Sequence, residues 1–162
     1  MNNFVYGADT LQNYETICGG TGAGPDFDGC SAVHSHMTNT RMTDPEVLES
    51  RFPVRVQSFA IRQGSGGTGQ HSGGDGIVRE IEFLSPMTVT VLSSHRQTQA
   101  FGVRDGSPGA PGENQVRRKN GSVEELSGND QRDMSPGDVF VMKTPGGGGF
   151  GAANAQSKVA TE

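Results

Sequence analysis

The sequence predicts a mainly β protein of α+β type, an antiparallel sandwich or jelly-roll-like sheet with one short helix and long glycine-rich loops. Three observations carry this. From Val54 onward apolar residues recur at every second position, the period of a half-buried strand. Gly, Pro, Asn and Ser clusters break those runs at short intervals. A single stretch, after Thr43, carries helix signals.

Taken in order, residues 1–33 have little periodicity and many turn formers, and no regular element is expected there. Thr43-Asp44-Pro45-Glu46 opens a helix: Thr43 or Asp44 caps it, Pro45 suits the first helical position, and Glu46 favours its positive end. It runs through Val47–Ser50 and stops near Phe52, ahead of Pro53. Strands are expected over Val54–Arg62, Ile77–Leu84 and Met87–Leu92. Gln115–Arg118 and Val123–Leu126 flank Asn120-Gly121, a strong hairpin signal. Asp138–Met142 is the last strand. Residues 1–53 therefore read as a glycine-rich loop and short-helix segment carrying the candidate site, 54–151 as a β-rich segment, and 152–162 as a disordered tail.

The composition is thin for a self-sufficient core. Only 31% of the 162 residues are hydrophobic, there is no Trp, and 25 residues are Gly. Globular domains usually reach about 45–50% apolar residues with Gly counted. An ordered, loop-rich protein that packs against something else is the expectation. A net charge of −5 argues against nucleic-acid binding, which needs a basic face. The one dense basic run, Arg117-Arg118-Lys119, reads as a solvated hairpin tip. No apolar run approaches the roughly 20 residues needed to span a membrane. Met1–Gly7 lacks the basic start and apolar stretch of a secretory signal, so a reducing cytoplasm and free thiols at Cys18 and Cys30 are expected.

Chemistry-bearing groups concentrate at residues 19–46. Glycines at 19, 20, 22 and 24 suit either a tight turn or a nest of converging amides. No Gly-Lys-Ser/Thr follows, so the run is not a P-loop. His34 and His36 are two apart and point the same way on extended backbone, which suits two metal ligands or an acid/base and a substrate contact. Asp28 and Asp44 are the nearby carboxylates that would complete a metal site. Spacing alone leaves the metal unknown. Asn39 and Arg41 offer an amide and a fork of donors for a carboxylate or phosphate. The four glycines at 146–149 mark either a flexible tail or a close approach of backbone. His71 and His95 stand apart and read as surface or structural residues.

These motifs together resemble the hydantoinase B/5-oxoprolinase family: Tyr14–Gly24, His34-x-His36-Met-Thr-Asn-Thr-Arg-x-Thr-Asp-Pro-Glu, Arg62-x-Gly-Ser-Gly-Gly-x-Gly, Gly73-Gly-Asp-Gly, Pro136-Gly-Asp and Thr144-Pro-Gly-Gly-Gly-Gly-Phe-Gly. They span nearly the whole chain up to Gly151, in family order, and correspond to the C-terminal part of a larger subunit. A truncated or split reading frame is expected. The resemblance implies ATP-dependent opening of a cyclic amide such as 5-oxoproline or a hydantoin. ATP with Mg would sit mainly on a hydantoinase A-type partner that phosphorylates the amide oxygen, and the B-type portion would assist hydrolysis. The remainder of the B-type subunit is the second implied partner. Carried onto this chain, His34, His36 and Asp44 become the catalytic candidates, and Gly20, Thr21, Gly22, Asn39 and Arg41 the substrate-binding ones. Acetone and acetophenone carboxylases share the architecture, so a carboxylase subunit is the enzymatic alternative. A non-catalytic β module docking the A-type partner is the other, and a product inactive in isolation the third. The chain departs from the family pattern at Gln70-His71-Ser72 and at Arg104-Asp105-Gly106, where a glycine pair is usual.

Overall fold

A computed structural model describes residues 1–35, 38 and 40–153. His36, Asn39 and the tail from residue 154 onward lie outside the described residues. The strands are β1 (Asn2–Ala8), β2 (Leu11–Thr16), β3 (Val54–Ile61), β4 (Ile77–Phe83), β5 (Met87–Ser93), β6 (Glu113–Arg117), β7 (Val123–Leu126), β8 (Asn129–Met134) and β9 (Val139–Lys143), and the helix is α1 (Pro45–Arg51). They build two antiparallel sheets, one ordered β2-β1-β5-β8 and the other β3-β4-β9-β6-β7.

Period-two patterning does the packing. Alternate residues of β1 and β5 (Phe4, Tyr6, Val89, Val91) meet Ile77, Ile81, Phe83, Phe140 and Met142 of the facing sheet. Rings cross between the layers, with Phe4 and Phe140 centroids 4.6 Å apart and Tyr6 edge-on to Phe83 at 5.5 Å. Each such buried side chain contributes about 1.5–3 kcal/mol.

Three strands, β1, β2 and β8, stand where no strand was expected. β1 and β2 form a hairpin registered Asn3↔Thr16 through Ala8↔Leu11, and β1 pairs on its other side with β5. β2 hides in sequence because its inward positions are polar. Glu15 is buried and accepts from Arg79 Nη2 (3.2 Å) and from the Thr43 amide (2.9 Å), so a charged pair sits where apolar side chains would mark a strand. β8, Asn-Asp-Gln-Arg-Asp-Met, is polar up to the buried Met134 and is recruited by pairing with β5.

α1 begins and ends as its sequence predicts. Asp44 Oδ1 accepts from the Glu46 amide, Pro45 opens the first turn, and Leu48 is fully buried. The Asn120-Gly121 hairpin forms, with Gly121 at φ +89°. Its basic run is not a solvated tip. Arg118 binds Glu124 (2.6 Å) and Asp138 (2.9 Å) and is held firmly protonated by those carboxylates.

The glycines form a layer of their own. Residues 145–151 are buried and are contacted backbone to backbone by the segments at 19–24, 65–74 and 102–110. Gly20 donates to Pro145, Ala23 to Gly148, Gly147 to Gly74, Gly67 to Gly147, and Gly149 to Ser107. A Cβ would overlap the carbonyl of Ser65 at Gly146, of Thr21 at Gly147, of Phe101 at Gly148 and of Thr68 at Gly149. Gly146 and Gly149 thus face the same neighbouring segment, a three-residue period like that of a polyproline-II helix. Close approach, not a flexible tail, explains this run.

Candidate active site

A cleft of about 570 Å³ opens between these glycine segments. One wall is Gly19–Ala23, another Pro145–Gly148, and the rim carries Val33, His34, His95 and Phe101. Of the sequence-derived candidates, Gly20, Thr21, Gly22 and His34 come together here.

The wall from Gly19 to Gly24 is neither a tight turn nor a nest. None of its glycines has a positive φ. The amides of Gly19, Gly20, Thr21, Ala23 and Gly24 donate to Val33, Pro145, Cys30, Gly148 and Phe27. Among the described residues only the Gly22 amide of this run lacks a carbonyl acceptor. Thr21 Oγ1 is occupied as well, accepting from the Cys30 amide at 2.8 Å. Glycine is required instead by contact, since a Cβ at Gly20 would overlap the Gly74 carbonyl.

His34 is half-buried, and its Nε2 lies 2.7 Å from the Thr16 carbonyl. A carbonyl only accepts, so this nitrogen carries the proton and Nδ1 is left as the ring's acceptor. His95 lines the same cleft, a position that sequence reasoning missed. Its Nδ1 is held 3.2 Å from the Thr98 carbonyl, and its backbone sits at φ +57°, a conformation uncommon outside glycine. Neither feature leaves a mark in the sequence, because both depend on a turn closed by chain neighbours. Cys18 also lines the cleft, and burial pushes its thiol up. Cys18 and Cys30 are both free.

The remaining described candidates sit elsewhere, and His36 and Asn39 lie outside the described residues. Arg41 is exposed and outside the cleft lining. Asp44 is the α1 cap, also outside the lining. Asp28 accepts from the Ser72 amide (2.7 Å) and lies 3.6 Å from His71 Nδ1, so its carboxylate is engaged with His71. Among the described residues no group of three His, Cys, Asp or Glu is arranged to hold a metal. The cleft does not fit ATP either. Among the described residues its lining has no Lys or Arg, and most of its loop amides are already donated. The departures at 70–72 and 104–106 lie outside the lining as well. Among the described residues no helix is long and apolar enough to cross a membrane.

Known proteins resemble this chain closely. It is 49% identical over 151 residues to a 5-oxoprolinase of Dictyostelium discoideum, covering 93% of this chain but 12% of that protein's length. The ATP-dependent caprolactamase of Pseudomonas jessenii matches in structure with a TM-score of 0.72 at 25% identity, over 93% of this chain and 28% of that one. A nucleotide-free acetone carboxylase matches with a TM-score of 0.74 at 18% identity, a likeness of fold, over 25% of its chain. The family Hydantoinase B/oxoprolinase matches residues 1–153. The chain belongs to the hydantoinase B/oxoprolinase family.

Proposed function

We propose that this chain is one wall of a composite active site in an ATP-dependent cyclic-amide hydrolase of the 5-oxoprolinase or hydantoinase type. The observation that supports it is the meeting of His34 with the Gly20–Gly22 wall in one cleft where no Lys or Arg lines the wall among the described residues. ATP with Mg is assigned to the A-type partner, and the activated ring is delivered to this cleft.

His34 Nδ1 takes a proton from the attacking water, in the orientation that the Thr16 carbonyl imposes through Nε2. The Gly22 amide is the free donor of the wall and steadies the oxygen on which charge develops. Arg41, on the loop that leaves the cleft, holds the substrate's carboxylate, and Asn39 its carbonyl. His36 is the second candidate for the proton. Asp44 fixes the far end of this loop by capping α1.

The test places this chain in the Dictyostelium 5-oxoprolinase in exchange for its matching segment. His34→Ala is expected to lower 5-oxoproline turnover about 100-fold, the low end for loss of a general base. Unchanged turnover in both His34→Ala and Arg41→Ala would remove the assignment.

A further inference from the structure

We infer that the inner face of β3 beyond its bulge, formed by Phe59 and Ile61, seats the rest of the B-type polypeptide. This rests on the reading above that the chain works inside such a polypeptide. The bulge between Val56 and Ser58 resets the register, so that Phe59 opposes Arg79 and Ile61 opposes Ile77. Arg79 and Ile77 are buried and inward-facing, and side chains opposed across antiparallel strands share a face. Phe59 and Ile61 therefore point to the core side, yet they are 45% and 49% exposed, against 2% for Val54 on the same strand.

The cause is a mismatch between layers. The sheet that contains β3 has five strands and faces one of four. Arg79 of β4 reaches Glu15 of β2, the edge of the smaller sheet, so β3 overhangs it. α1 covers the first half of the overhang, packing against β3 and bringing Glu49 Oε1 to the Val56 amide at 2.8 Å. Among the described residues nothing covers the second half in the same way.

A second observation lies beneath it. The Arg79 guanidinium sits 5.0 Å from the centre of the Phe59 ring, and its Nε and Nη1 are buried without an acceptor. The Arg79 guanidinium is short of acceptors where the apolar face is uncovered, so the covering segment is apolar and brings a carbonyl or carboxylate.

Chain length argues for the occupant. The structural matches place 93% of this chain within 25–28% of the neighbours' chains, so most of each of those chains lies outside the matched part. Two half-exposed side chains offer far less than the roughly 800 Å² per partner of a stable interface between copies.

The experiment co-expresses the full chain with the Dictyostelium 5-oxoprolinase deleted for its matching segment, with a photo-crosslinker at position 61 or 123. Val123 is exposed on β7, the opposite edge of the same sheet. A crosslink from 61 and none from 123 is expected. Ile61→Lys should weaken binding about tenfold or more, and Val123→Lys less than about twofold, with both variants melting like the parent. Binding undiminished by Ile61→Lys overturns the seat and leaves the B-type reading standing. No binding by the unmodified chain overturns both. A dimer of this chain that Ile61→Lys converts to monomer assigns the face to a second copy and overturns the inference.

Discussion

Arg104 and Asp105 show how single residues carry strain that composition hides. Both lie at positive φ, +49° and +70°, in a turn closed by the Gly106 amide on the Val103 carbonyl. Glycine suits such positions, which is the physical sense of the glycine pair that the family resemblance leads one to expect at this turn. Asp105→Gly is expected to raise stability by about 0.5–1 kcal/mol, read as a higher urea midpoint. Arg104→Gly should gain less, because the guanidinium stacks 5.7 Å from the Phe150 ring. Asp138 is a second strategic residue. Burial alone would raise its pKa, but the Ser135 and Lys119 amides and Arg118 outweigh that and hold it below the usual carboxylate range. Glu113 is lowered too, chiefly by its bond from Lys143. With folded pKa values below the unfolded ones, the unfolded chain binds more protons in acid. Their stabilisation is complete above the ordinary carboxylate pKa and is lost as pH falls from about 5 towards 2. Thermal melts across that range should show the decline, and Asp138→Asn should flatten it.

At the scale of elements, legibility followed chemistry. β3, β4 and β5 could be read because apolar residues recur at every second position, β9 because it is a short continuous apolar run, and the β6–β7 hairpin because Asn120-Gly121 marks its turn. β2 and β8 could not, since their inward positions hold Glu15, Asn13, Asp130 and Arg132, and only pairing with β1 and β5 makes them strands. The glycine layer was legible as unusual, but its geometry was not. A sequence shows that a Cβ is missing, never which carbonyl occupies its place. Gly147→Ala would drive a methyl into the Thr21 carbonyl and should cost about 3 kcal/mol. Gly121→Ala meets open space and pays only for its positive φ, about 1 kcal/mol. Similar urea midpoints for the two would contradict the backbone-packed layer.

For the whole molecule, the thin composition finds its explanation in shape. The core is real but small, one strand overhangs its partner sheet, and the chain spans 12% of the Dictyostelium relative. The site was half legible. The Gly20–Gly22 run and His34 do share a cleft, whereas Arg41 and Asp44 lie outside its lining and His95 enters it unannounced. The central claim is that this cleft assists hydrolysis of a ring activated by a partner. In the Dictyostelium enzyme carrying this chain, the most direct measurement is ring-opened product formed per ADP released. His34→Ala should lower that ratio, with ADP still released while product falls about 100-fold. A ratio and a product rate equal to those of the parent would contradict the claim.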